Sequence, residues 1–191
     1  MINPPDWYTV EERLVETGLS AISRFAAEHP NDLCAFFAFY TEPDVGLFGV
    51  CLDTYKNAVQ AAMKNERQTF GRRQQLLKGP RPWSWAHATI DIPRIVDYTP
   101  SVGSFAQVMY MESFFEAWRA YLSSNEYPEQ QKGEDDYLEG NARIVIWKAI
   151  ERLIKANAFE NLHLTSPFRL GYQVHDDELI ILRIIHWANL E

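Results

Sequence analysis

Cysteine is nearly missing from this chain, with only Cys34 and Cys51 among 191 residues. That scarcity excludes a disulfide-stapled scaffold and any multi-cysteine metal centre. Long apolar runs are missing too. The longest, Leu33 to Tyr40, spans eight residues, whereas a membrane helix needs roughly 20. The N-terminus, Met1-Ile2-Asn3-Pro4-Pro5-Asp6, has neither the basic flank nor the apolar stretch of a signal peptide. It offers no glycine for myristoylation, and Asn189-Leu190-Glu191 carries no prenylation cysteine. A cytoplasmic protein without a membrane partner is expected. An excess of positive charge is also lacking: the net charge is −8 and the pI about 5.2. Nucleic acids are bound by neutralising phosphates, so they are disfavoured as partners, whereas a basic protein partner suits this balance.

Catalytic signatures are equally scarce. There is no Gly-x-Ser-x-Gly elbow, no phosphate loop, no Gly-x-Gly-x-x-Gly and no His-Glu-x-x-His. The five histidines, His29, His87, His163, His175 and His186, lack the paired spacing of a structural zinc site. His29 follows a predicted helix, His175 sits at a predicted hairpin turn and His186 falls in the last predicted strand. Structural or surface roles suit these three best. The acidic runs Glu134-Asp135-Asp136 and Asp176-Asp177-Glu178 lack the alternating ligands and central glycine of a calcium loop. No metal and no cofactor are expected. These absences lower the weight of an enzyme without removing it, because active sites also assemble from distant residues.

What the chain has in quantity is aromatic surface: 14% of it is Phe, Trp or Tyr. Its length fits one domain, residues 1–191, able to bury about 70% of its unfolded surface. Thr9 and Glu12 have capping-box spacing, and apolar residues at helical intervals predict a helix from Thr9 to Glu28. Gly18 on that stripe admits a close neighbour. Leu33 to Thr41 reads as a strand apolar on both faces, with Phe37 and Phe39 opposed to Phe36 and Tyr40, and belongs in the middle of a covered sheet. A turn near Asp44 returns the chain as Leu47 to Leu52. That hairpin sets Cys51 opposite Phe37, not Cys34, so both thiols are expected to be reduced.

Asp53 and Thr54 cap a helix predicted from Tyr55 to about Leu77. A single amphipathic helix is predicted from Ser104 to Ser123, with Phe105, Val108, Met111, Phe115, Trp118 and Leu122 in one stripe. Residues 126–139 carry six carboxylates and one lysine and read as a mobile acidic loop. A helix from Gly140 to Asn157 turns Ile146, Trp147, Ile150, Leu153 and Ile154 inward. The chain ends in a hairpin, Phe168 to Val174 and Leu179 to Trp187. The sum is α+β: a mainly antiparallel sheet of four to five strands with helices packed against it.

One stretch stands out. Between Lys64 and Arg81 six cations face one Glu66, a local charge of +5, so the rest of the chain carries −13. Trp83 and Trp85 follow at once. Basic residues beside aromatics can stack and neutralise a single strand of nucleic acid, but the remainder would repel it. A solvated helix end above core tryptophans is the plainer reading. Docking of a protein partner also fits, with Arg72, Arg73, Arg81, Trp83 and Trp85, or Glu134, Asp135 and Asp136, as contact residues.

Ala35-Phe36-Phe37-Ala38-Phe39-Tyr40-Thr41, the Trp83 and Trp85 segment, Lys148-Ala149-Ile150-Glu151-Arg152-Leu153, Ala158-Phe159 and the closing Trp187-Ala188-Asn189 together resemble a bacterial family catalogued as domain of unknown function 4303. The resemblance covers most of the chain and brings no established activity. Some members of this size class look like immunity proteins of toxin systems, small acidic proteins that plug a toxin. The expected function is therefore non-enzymatic protein binding, of immunity type. The alternative is a small-molecule-binding protein or enzyme with a pocket near Trp83 to His87, where His87 acts as general base and Tyr40 or Asp53 as its polar partner.

Overall fold

The computed structural model describes residues 6–65, 101–122 and 135–186. Arg72, Arg73, Arg81, Trp83, Trp85, His87 and Glu134 lie outside them, as does most of the predicted 126–139 loop. Five strands form one sheet: β1 (Cys34–Glu42), β2 (Leu47–Thr54), β3 (Gln107–Phe114), β4 (Leu164–Val174) and β5 (Ile180–Ile185), in the order β3-β2-β1-β4-β5. All neighbours run antiparallel except β1 and β4, which are parallel. With helices packed on the sheet, the fold is α+β.

The strand without a polar face takes the centre. Phe37 and Phe39 enter one hydrophobic cluster, and Phe36 and Ala38 enter another. β1 therefore needs cover on both sides, and central placement supplies it. Pro43–Val45 forms a short 3-10 turn closed by Gly46 at φ 67°, a conformation a glycine adopts without strain. The register then sets Cys51 opposite Ala38 and Leu52 opposite Phe37, one residue from the sequence expectation. A bulge between Cys34 and Phe36 lies in the same ladder. Both thiols are free and buried, in separate clusters.

Helix α1 spans Trp7–Glu28. Its cap is Asp6, not Thr9: the Asp6 carboxylate accepts the Tyr8 amide at 3.1 Å and the Thr9 hydroxyl at 2.6 Å. A carboxylate that takes both donors outcompetes a hydroxyl and moves the helix start back by two residues. At Gly18 a Cβ would stand 2.8 Å from Leu153 Cδ1, so the missing side chain is what admits α4 (Asp135–Lys155). The last part of the predicted acidic loop, 135–139, is thus helical. Ala142, Ile146, Ala149, Ile150 and Leu153 of α4 are buried, but Trp147 is 44% exposed, against the inward expectation. The helix offers one stripe to the core, and Ile146 and Ile150 occupy it.

The predicted helix from Ser104 to Ser123 is not formed. A 3-10 turn at Val102–Ser104 leads into β3, and only Glu116–Leu122, α3, is helical. Its supposed stripe is divided: Phe105 packs in one cluster while Met111, Phe115 and Trp118 pack in the other. Hydrogen bonding to the open edge of β2 overrides a helical spacing that arose from two separate elements. Residues 55–65, α2, are helical as expected, and the Thr54 hydroxyl accepts the Asn57 amide at 3.2 Å.

The two sheet faces differ in filling. On the first, α1 and α4 cover Phe37, Phe39, Phe48, Val50, Leu52, Phe168 and Leu170. On the second, the described cover is α2, residues 101–106 and Leu179, over a cluster rich in small side chains.

Candidate functional site

Strand register builds the second face in rows. Arg169, Phe36 and Asp53 are aligned across β4, β1 and β2. The next row is Gly171, Ala38 and Cys51, three small residues side by side. Beyond it come Gln173, Tyr40, Gly49 and Glu112 across four strands. Small residues in the middle row leave the face shallow, and the last row borders a cleft of about 660 Å³. Leu47, Val102, Val108 and Met109 bring apolar surface to its lining, and Tyr40, Glu42, Glu112, Gln173 and His175 bring polar groups.

A bulge in β3 supplies part of the apolar lining. Two β2 steps, Val50 to Leu52, face four β3 steps, Met111 back to Gln107. The extra residues include Met109 at φ 48°, a left-handed conformation that costs a non-glycine residue about 1 kcal/mol or more. The bulge lays the Met109 thioether where a Gly49 side chain would otherwise stand. Gln173 fixes the Ser101–Val102 part of the rim. Its carbonyl oxygen accepts the Val102 amide at 2.8 Å and the Ser101 hydroxyl at 3.2 Å, and its amide donates to the Asp177 carbonyl at 2.7 Å.

At the cleft's polar end three groups converge. Tyr40 Oη donates to Glu42 Oε1 at 2.7 Å and lies 2.5 Å from His175 Nδ1, which is 3.3 Å from the same carboxylate oxygen. Asp176 Oδ2 is 3.5 Å from the other ring nitrogen. Burial, and then the Glu42 carboxylate, push the Tyr40 phenol well above its usual range, so Tyr40 keeps its proton. Asp177 is held separately by Arg143 at 2.9 Å.

Of the described residues of the predicted small-molecule pocket, Tyr40 lines this cleft. Asp53 belongs to the same face but sits opposite Phe36, four β1 residues from Tyr40, or about 13 Å at strand rise. It is fully buried, with Oδ1 accepting the Ala106 amide at 3.0 Å and the Asn57 side chain at 2.8 Å. Its Oδ2 has no hydrogen-bond partner among the described residues. Burial raises its pKa. Asp53 therefore ties residues 104–106 to the start of α2 and does not meet Tyr40. Asp135 and Asp136 open α4.

His175 is the residue that sequence reasoning set aside. It does lie at the turn after β4, as expected, but the parallel pairing of β1 with β4 carries it to Tyr40, 135 positions away in sequence. His29 caps α1 and stacks on Phe25, and His186 follows the end of β5. Among the described residues no group of three or more potential ligands is placed to hold a metal, and no helix is long and apolar enough to cross a membrane. No family model matches this chain, and neither the curated proteins nor the solved structures give a match.

Proposed function

We propose that this chain binds a small polar molecule in the cleft between the Tyr40 end of the sheet and the Val102 to Met109 segment. The observation that supports it is the convergence of Tyr40, Glu42 and His175 at the edge of a 660 Å³ space that Leu47, Val102, Val108 and Met109 also line. Ligand pockets combine an apolar lining with a few fixed polar groups, and the volume falls in their ordinary range. The small-residue row beside the cleft and the bulge at Met109 are consistent with a space that side chains could have filled. NMR titration with a panel of alcohols, amines, amino acids, sugars and nucleosides tests the reading. Shifts gathered on Tyr40, Val102, Gly103, Gln173 and His175 are expected. No shifts there across the panel would end it.

The protein-binding expectation keeps one specific support. Ile144 and Trp147 on α4 are 53% and 44% exposed, an aromatic and an aliphatic anchor of the kind that dominates protein interfaces. A captured partner lost on Trp147→Ala, with the cleft still binding its ligand, would favour that second reading as an additional role.

A further inference from the structure

We infer that His175 is held in the tautomer that bears its proton on Nδ1, so that Nε2 serves the cleft as a proton acceptor for an O–H or N–H group of the bound molecule. The inference rests on the cleft being a ligand site and names the class of ligand it takes: hydrogen-bond donors, not bare acceptors.

The argument is a count of protons. Tyr40 Oη has one hydrogen and two close neighbours, Glu42 Oε1 at 2.7 Å and His175 Nδ1 at 2.5 Å. Glu42 is a carboxylate, an acceptor only. If the phenol gave its proton to Nδ1, an oxygen lone pair of Tyr40 would face an ionised oxygen at 2.7 Å with no hydrogen between them. Giving it to Glu42 instead removes that repulsion and requires a hydrogen on Nδ1, directed at Tyr40 Oη. The chain then reads Nδ1–H to Oη–H to Oε1, with one proton in each of its two links. In the neutral ring the remaining lone pair is on Nε2.

Of the groups facing the ring, two set this assignment and the third, a carboxylate 3.5 Å from Nε2, is solvated. Tyr40 and Glu42 come from β1, and Asp176 from the turn. Asp176 is 91% exposed, so its contact with Nε2 is weak and yields to a ligand donor. Tyr40 and Glu42 are positioning residues, since they orient the ring, and Nε2 makes the contact. A donor reaching Nε2 is drawn further by the negative field of Glu42 and Asp176 around the imidazole.

Nitrogen-15 NMR of the imidazole is the test, at a pH where the ring is neutral. The expected spectrum shows hydrogen on Nδ1 and a bare Nε2 in the full-length protein. In Glu42→Gln, an isosteric change, the amide can donate to Tyr40 and release its hydroxyl toward Nδ1, so the hydrogen is expected to move to Nε2. An Nε2–H tautomer in the unaltered protein, or the same tautomer in both with the backbone spectrum intact, overturns the inference. Cyclohexanol and its methyl ether then probe ligand class. The alcohol should shift the Nε2 resonance and the ether should not; equal shifts also overturn it. A failure of every panel compound to bind, with Nδ1–H observed, would remove the cleft reading and the ligand class while leaving the tautomer in place.

Discussion

The two faces of one sheet have been put to different uses. On the first, Phe37, Phe39, Phe48, Phe168 and Leu170 interdigitate with α1 and α4 and leave nothing exposed. On the second, the row Gly171, Ala38, Cys51 carries almost no side-chain volume, and the next row ends in polar groups around a cleft. Both faces share the strands and the alternation that points successive side chains apart. Residue size therefore separates a face of interlocking rings from one with a row of small side chains beside a cleft.

The sharpest break of this contrast is a truncation on each side. Phe39→Ala should cost about 3–5 kcal/mol in urea denaturation, because the cavity lies among close-packed rings that cannot collapse into it. Phe36→Ala should cost less, since half of its cluster is Ala and Cys, although Phe105 at 5.6 Å and Arg169 at 5.1 Å also lie on the ring. Equal losses would mean that the second face is packed as rigidly as the first.

Glycines on the second face sharpen the comparison further. A Cβ on Gly171 would run into the Ile180 carbonyl oxygen, which is backbone of β5 and cannot swing aside. Gly171→Ala should therefore cost about 1–3 kcal/mol. A Cβ on Gly49 meets only the end of the Met109 side chain, which is unbranched and adaptable. Gly49→Ala should cost less than about 1 kcal/mol by the same measurement, yet move the Met109 methyl signal.

Asp53 gives a smaller, pH-dependent difference. Its folded pKa is raised by burial, so the fold favours the protonated acid. Its contribution is fully present below the unfolded value, near 3.8, and is lost as pH rises through the folded value. Each unit of elevation corresponds to about 1.4 kcal/mol. Asp53→Asn retains a carbonyl for Ala106 and Asn57, so its stability should fall less over that window than the wild type's. Parallel curves would show that the buried oxygen is solvated after all. The least effect belongs to Arg152→Ala on the first face's rim, where Arg152 and Glu12 are each 37% exposed and Glu11 14%. In about 1 M salt, where screening reaches roughly 3 Å, the variant should match the wild type.

How far the chain could be read follows from the same physics. β1 was plain in the sequence because a strand apolar on both faces has few places to go. Gly18 was plain because a gap in an apolar stripe signals an approaching neighbour. β3 was not, because its bulge breaks the two-residue alternation, and Phe105, Met111 and Trp118 fall at helical spacing although they serve different faces. Of the cleft one residue was named: Tyr40, as a polar partner for His87. His175 was not, since no local pattern announces that β4 will lie parallel to β1. The basic and tryptophan-bearing stretch that stood out in the sequence lies outside the described residues.

That parallel pair has a consequence for the order in which the molecule is made. Synthesis proceeds from the N-terminus, and β1 and β2 emerge early, but the other neighbour of β1 is encoded only from Leu164 onward. Until then the centre of the finished sheet is an edge, apolar on both sides and open to pairing with another chain. A nascent chain thus passes through a period of exposure that ends only when residues 164–174 have left the ribosome, and a chaperone meeting it there would find residues 34–42.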